Sequence, residues 1–280
     1  MHSCAVIVPL YQARLSPAEQ LSLENTIEVL SEYPIYLVGP KSLEPYLEQL
    51  RQQFNDRLLS MTYANRFFVS VDGYNQLMLS KSFYQAFSQF EYMLIVQTDA
   101  LVLSNELQLW CTKQYSYIGA PWFDGFTQPT LPLTLNSAGN GGFSLRRIPD
   151  FLQVLSRPRV FKNTLMQTWP GNWLSTVYRY VKDYHSFVYN DLHLNLNVNE
   201  DLFWALFVPA ACPFFTVPSA QDAVPFSFEA YPEHLYQLNH QTLPFGCHAW
   251  QRYQPTFWQQ VTAEKGVQLA ERLQLVLEQE

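Results

Sequence analysis

The sequence predicts an α/β fold: a single large domain on a mostly parallel, Rossmann-like central sheet flanked by helices. Three observations predict it. Short apolar runs alternate with amphipathic segments over the first 120 or so residues, and a β-α-β-α alternation implies parallel strands joined by right-handed crossovers. The run YMLIV (92–96) is apolar or aromatic at every position, as a strand buried on both faces reads. The chain has 280 residues, 48% of them hydrophobic and 16% aromatic, enough to bury a large core.

Taken in order, CAVIVPLY (4–11) is an apolar, β-branched strand. SPAEQLSLENTIEVL (16–30) is a helix in which Ser16 caps, Pro17 takes the first helical position and Glu19 follows at capping-box spacing. YPIYLVG (33–39) is a second buried strand closed by Gly39-Pro40. SLEPYLEQLRQQF (42–54) is a second helix, with Leu43, Tyr46, Leu47 and Leu50 on one face. RLLSMTY (57–63) predicts a third strand, YNQLMLSKSFYQAF (74–87) a third helix, and EYMLIVQTDALVL (91–103) a central strand ending on Asp99. YSYIGAPW (115–122) predicts a further strand. Residues 124–137 read as a loop, 148–156 and 199–207 as helices, 208–245 as a Pro-rich segment, and about 258–279 as one amphipathic helix with Val261, Val267, Leu269, Leu273, Leu275 and Val276 as its apolar residues. This divides the chain into a domain over 1–255, with halves at about 1–123 and 124–255, and a C-terminal helix over 256–280.

Composition excludes several classes. A net charge of −7 with only 17 Lys and Arg argues against nucleic acid, which needs a basic face. No apolar run approaches the roughly 20 residues of a membrane span, and MHSCAVIVPLYQ lacks the basic flank and cleavage site of a signal peptide. Cys4, Cys111, Cys212 and Cys247 lie far apart with no CxxC, which fits reduced, buried thiols in a cytoplasmic protein. CAVIVPLY is not followed by the glycine fingerprint of a dinucleotide site. No G-x-S-x-G elbow follows any strand.

Four stretches hold residues that a core would not choose by itself: Gln97-Thr98-Asp99, Gly139-Asn140-Gly141-Gly142-Phe143-Ser144, Asn199-Glu200-Asp201, and Phe245-Gly246-Cys247-His248-Ala249-Trp250. A lone carboxylate at the end of a buried strand costs several kcal/mol unless partnered, so Asp99 needs a partner, and strand ends are where open α/β sheets bind ligands. Singly, each stretch also has a structural reading. Glycine-rich segments make turns, Glu200 and Asp201 complement a helix dipole, His248 serves as a hydrogen-bonded structural histidine, and Arg146-Arg147 forms a solvated surface pair.

In their order, these stretches resemble the GT-A nucleotide-sugar glycosyltransferases. More closely, QTDA, YIGAPW, GNGGFSLR, NED and FGCHAW are similar to a bacterial family of uncharacterised glycosyltransferase-like domains. The resemblance spans roughly residues 4–252. It implies a GT-A-like fold with an irregular acceptor-side region, and a nucleotide-sugar donor. In such enzymes the last Asp of an Asp-X-Asp motif holds a divalent cation that bridges the donor diphosphate. That Asp matches Asp99, and Gln97 replaces the first. His248 matches a C-terminal histidine ligand, so the resemblance implies Mn²⁺ or Mg²⁺ at Asp99 and His248, with Gln97 placing metal dependence in question. Asp201, or secondarily Glu200, matches the base of inverting members. Gln97, Thr98, Asp99, Pro9, Tyr11, Gly39, Asn140, Gly141 and Gly142 match donor contacts. There Tyr11 would stack on the base and the glycines would leave room for the sugar. Trp122 and Phe123 would line the sugar or acceptor side.

The function so implied is transfer of a sugar from a nucleotide diphosphate to a hydroxyl of a glycan or glycolipid, with inversion, in bacterial surface polysaccharide or lipopolysaccharide synthesis. A lipid-linked acceptor would bring the protein to the inner face of the membrane as a peripheral visitor. The rival is a degenerate module that binds nucleotide or glycan without turnover, and Gln97 favours it.

Overall fold

The computed structural model describes residues 3–126, 128–156 and 199–278. Its centre is a six-stranded sheet in the order β3-β2-β1-β4-β9-β6. Strands β1 (Cys4–Pro9), β2 (Ile35–Pro40), β3 (Leu58–Tyr63) and β4 (Tyr92–Val96) are mutually parallel. They are linked by α1 (Pro17–Val29), α2 (Glu44–Gln53), and the pair α3 (Val71–Met78) and α4 (Lys81–Ala86). This is the α/β architecture that the alternation predicts. Ser16 and Glu19 form the expected capping box.

Side-chain alternation along each strand builds two core layers. Cys4, Val6 and Val8 of β1 and Tyr92, Leu94 and Val96 of β4 pack with α1 and α2. Ala5 and Ile7, with Met93 and Ile95, pack on the other face against α3, α4 and α6 (Ile148–Leu155). Each of the Val, Leu, Ile and Met side chains among them, fully buried, contributes about 1.5–3 kcal/mol.

Several expectations need correction. The helix expected over 74–87 is two helices, because Ser70 caps one by accepting from Gly73 and Ser80 caps the next by accepting from Phe83. The strand expected over 115–122 belongs to two sheets. Its first part is β6 (Tyr117–Ile118), after β5 (Leu101–Val102) and α5 (Leu107–Thr112), and its second is β7 (Pro121–Phe123), which pairs with β8 (Leu135–Ala138). The break falls at Gly119, where the Asn140 backbone approaches too closely for any side chain. The end of the glycine-rich stretch is β9 (Phe143–Arg147), an antiparallel strand between β4 and β6. The helix expected over 199–207 is α7 (Glu200–Leu202), then a π-helical turn (Phe203–Phe207) and α8 (Val208–Ala211).

The Pro-rich segment contributes α9 (Ala220–Ala223), β10 (Ser227–Phe228) and α10 (Pro232–Leu238) before β11 (Gly246–Cys247). The C-terminal helix is two, α11 (Pro255–Glu264) and α12 (Leu269–Leu277), separated where Gly266 turns left-handed at φ +67°. Trp258, Val261, Leu269, Leu273 and Val276 pack into a third cluster with Ala18 and Leu21 of α1. All four cysteines are buried free thiols. No helix of the described residues is long and apolar enough to cross a membrane.

Candidate active site

The strand order reverses direction between β1 and β4: β2 and β3 extend one way from β1, and β4 lies on its other side. A crevice forms beyond the strand ends at such a switch point. Tyr11 follows β1, and Gln97, Thr98 and Asp99 follow β4. A small sheet, β10-β11-β5, completes the place. Its antiparallel register sets Cys247 opposite Leu101, and the Trp250 N–H donates to the Asp99 carbonyl, which carries His248 to Asp99. The parallel register of Phe228 with Cys247 then lays Glu229 alongside His248.

The side chain that partners Asp99 is His248. Nε2 of His248 lies 3.2 Å from Asp99 Oδ1 and 3.2 Å from Gln97 Oε1, and Nδ1 lies 3.0 Å from Glu229 Oε1. Burial alone would push the imidazole pKa down. The hydrogen bonds and charges of Asp99 and Glu229 outweigh it and raise the pKa to about 10. For Asp99, burial pushes upward, and the hydrogen bond and charge of His248 prevail and hold the carboxyl below its ordinary value. The two carboxylates on the ring nitrogens of His248 thus favour the protonated imidazole.

Arg146 departs most from expectation, because β9 is an interior strand and its alternate residues point into a core layer. The guanidinium is fully buried and forms a bidentate pair with Glu200, Nη2 to Oε1 at 2.7 Å and Nη1 to Oε2 at 3.0 Å. It also donates to the Tyr84 hydroxyl at 3.0 Å and to Ser144 at 3.1 Å, and lies over the Tyr117 and Phe151 rings. Arg147 is the half-exposed member, paired with Glu91 and Asp150. Glu200 is further fixed by its N–H donating to Asn75 Oδ1 at 3.2 Å, while Asn75 donates to Asn199 at 3.3 Å. Both oxygens of the Glu200 carboxylate are thus occupied by Arg146.

Asp201, the next residue, forms no ion pair with another of the described residues. Burial, followed by the neighbouring Glu200 charge, raises its pKa to about 7 against a lowering hydrogen bond from the Leu202 N–H at 2.7 Å. A carboxyl that titrates near neutrality in a cleft is matched to general acid or base work.

Asp201 also stands on the wall between two cavities. The larger, about 590 Å³, includes Tyr11, Tyr74, Gln97, Gly141, Gly142 and His248 among its lining residues. The smaller, about 180 Å³, includes Trp122, Phe123, Phe126, Glu229 and Tyr253. Asn140, Asn199, Asp201 and Arg252 line both.

The other expected residues divide. Asn140 accepts from the Gly142 N–H at 2.9 Å, and Gln97 donates from its backbone to the Gly142 carbonyl at 2.8 Å. Tyr11 is 39% exposed at the larger cavity, edge-on to Phe68 and Tyr74. Thr98 instead donates to Glu19 at 3.1 Å, and Pro9 and Gly39 are buried and absent from both linings. The glycines make room for protein groups as well as lining the cavity floor. A Cβ on Gly141 would meet Glu200 and Asp201, and one on Gly142 would strike the His248 ring. Glu229, Arg252 and Asn75 were not anticipated. Glu229 follows a two-residue strand with no periodicity to announce it.

The donor set at His248 Nε2, Asp99 Oδ1 and Gln97 Oε1 fits a hard or borderline cation such as Mn²⁺ or Mg²⁺, and Glu229 stands where an outer carboxylate orients a metal-bound imidazole. Among the described residues no three His, Cys, Asp or Glu side chains group to hold a metal by themselves. A cation here would need oxygens from a ligand.

Fold and site together define an open α/β protein with a carboxylate-lined cleft at its switch point. The chain belongs to the family described as "Protein of unknown function (DUF5672)", which matches residues 57–248. Curated proteins give no match. Among solved structures, it is similar to a galactosyltransferase, LgtC, in complex with donor and acceptor sugar analogues (10% identity, 98% of this chain and 94% of that one, TM-score 0.48). It is also similar to core-mannan synthase A from Aspergillus fumigatus in an Mn/GDP form (9%, 80% and 72%, TM-score 0.45). A third likeness is to a glycosyltransferase involved in glycosylation of the major capsid of PBCV-1 (14%, 99% and 99%, TM-score 0.41). At such identities and TM-scores these likenesses assign no activity to this chain.

Proposed function

We propose that the protein is a glycosyltransferase that moves a sugar from a nucleotide diphosphate to a hydroxyl of a glycan or glycolipid, with inversion. The observation that carries the reading is the position of Asp201 on the wall shared by two cavities, with Gln97 and His248 lining the larger one and Asp99, in neither lining, in contact with His248. The larger cavity takes the donor and the smaller the acceptor. Tyr11 lies where a base could stack.

Asp201 accepts the proton of the acceptor hydroxyl as that oxygen bonds to the anomeric carbon. The bond from that carbon to the diphosphate oxygen breaks, and its electron pair leaves with the nucleoside diphosphate. The raised pKa of Asp201, about 7, gives a base that is half ionised near neutrality. Glu200, clamped by Arg146, holds the helix start in place and is not proposed as the base. Asp99 and the Nε2 of His248 would hold Mn²⁺ or Mg²⁺, with Gln97 as a weaker oxygen donor. When bound, the cation would supply charge neutralisation for the departing diphosphate. A setting in bacterial surface-polysaccharide or lipopolysaccharide synthesis on the cytoplasmic side, with peripheral membrane contact, belongs to the same proposal. So do the divisions at about 123 and 255.

The test is calorimetric titration of the protein with uridine, guanosine, cytidine, adenosine and thymidine diphosphates, with and without Mn²⁺, alongside Asp99→Ala. Metal-dependent binding of one nucleotide, lost in the variant, is the expected result. Tight binding indifferent to metal would remove the Asp99 and His248 metal site from the reading. A second reading, binding without turnover, is favoured by the amide at Gln97. Donor hydrolysis in the absence of acceptor would exclude it.

A further inference from the structure

The smaller cavity is built in a way that the donor does not explain. At about 180 Å³, and with a water occupying about 30 Å³ of liquid, it has the capacity of roughly six waters, the scale of one sugar ring. Its aromatic wall is a corner rather than a plane. The Trp122 and Phe126 rings stand 5.5 Å apart at 59°, and Phe126 is 37% exposed.

Trp122 is also backed. Gly139, at φ +157°, lies where any Cβ would run into the indole and into Ala205. The first glycine of the GNGG run thus lets the tryptophan lie against bare backbone on one side while lining the cavity on another. Asn140, Asn199 and Arg252 line the same cavity together with Asp201, adding hydrogen-bonding groups to the aromatic ones. An aromatic corner and hydrogen-bonding groups in one small cavity match a pyranose, whose C–H face suits an aromatic ring and whose edge carries hydroxyls.

We infer that this cavity is an acceptor subsite for one terminal pyranose ring, laid on Trp122 with an edge hydroxyl toward Asp201, the rest of the glycan lying outside. The inference rests on the glycosyl-transfer reading of Asp201 but is tested apart from it. It commits the acceptor to a sugar hydroxyl rather than that of an amino acid or a lipid alcohol.

The probes are the methyl glycosides of glucose, galactose, mannose and N-acetylglucosamine, followed by saturation-transfer NMR on the full chain, with nucleoside diphosphate binding measured in parallel. At least one methyl glycoside should receive saturation on its ring protons. Its affinity should fall about tenfold or more in Trp122→Ala, with nucleotide binding unchanged. Phe126→Ala, at an exposed turn, should show the same direction even if Trp122→Ala fails to fold. Nucleotide binding without binding of any methyl glycoside would overturn the subsite and leave the donor reading standing. So would glycoside binding indifferent to both substitutions. Trp122-dependent glycoside binding without nucleotide binding would uphold the subsite and sink the donor reading.

Discussion

Arg146 and Glu200 meet inside the protein through two parallel hydrogen bonds, at 2.7 and 3.0 Å, with the guanidinium fully buried. Removing one partner leaves the other charge uncompensated in the interior, a loss of about 3–5 kcal/mol. Arg146→Met should therefore lower the denaturation midpoint sharply. The double variant Arg146→Met, Glu200→Leu should recover most of that stability. Equal stabilities for the wild type and the single variant would mean that the pair holds nothing together.

Asp201→Asn tests the base. Transfer should fall by roughly 10²- to 10⁴-fold while nucleoside diphosphate affinity is retained, which steady-state rates and calorimetry separate. The same variant carries a stability signature. The carboxyl pKa is raised from 3.8 to about 7 in the folded protein, so the fold favours the protonated acid. Stability is then full below the unfolded pKa and is lost as the pH rises through the folded one. Asparagine removes the ionised form, so its stabilising effect should grow between about pH 4 and about pH 7 and level off above. Thermal unfolding of both proteins across that range checks the sign.

Gly142→Ala should disable the donor site without unfolding the sheet. The added methyl would occupy the place of the His248 ring, pushing Nε2 away from Asp99 and Gln97. A fall of at least about tenfold in nucleoside diphosphate binding is expected, with the far-ultraviolet circular dichroism of the wild type. Unchanged binding would show that His248 takes no part in the donor site.

Glu229→Gln tests the outer carboxylate. If His248 binds a cation through Nε2, loss of the Glu229 charge at Nδ1 should weaken Mn²⁺ affinity by about 10- to 100-fold. In the wild type the cation must displace the Nε2 proton from an imidazole whose pKa is raised to about 10. Apparent Mn²⁺ affinity should therefore rise with pH up to about that value. Titration by electron paramagnetic resonance at several pH values, in the presence of the nucleoside diphosphate that binds, reads both effects, and a pH-independent, Glu229-independent affinity would contradict them.

The parallel half of the sheet was legible because each of its strands is a nearly unbroken apolar run and each connection has helical spacing or a cap. Strand β9 was not, since Ser144 and Arg146 interrupt its apolar residues and glycines precede it. The burial of Arg146 was equally hidden, because its partner lies 54 residues away and a sequence window sees only a charged pair. Asp99 and His248 stood out as chemistry in unusual places. Glu229 did not, because its arrival beside His248 depends on the register of two-residue strands, too short to leave a pattern. The glycines were visible as a run, but which neighbour each accommodates is a matter of tertiary packing.

Asn199 and Glu200 are fastened to Asn75 on α3 and to Arg146 on β9. The anchors of Glu200 thus stand 125 and 54 residues earlier in the chain, and Asp201 takes its place from its immediate neighbour. A carboxylate moored in this way can be reset from a distance: a change at Arg146, which lines neither cavity, reaches it without touching a cavity wall.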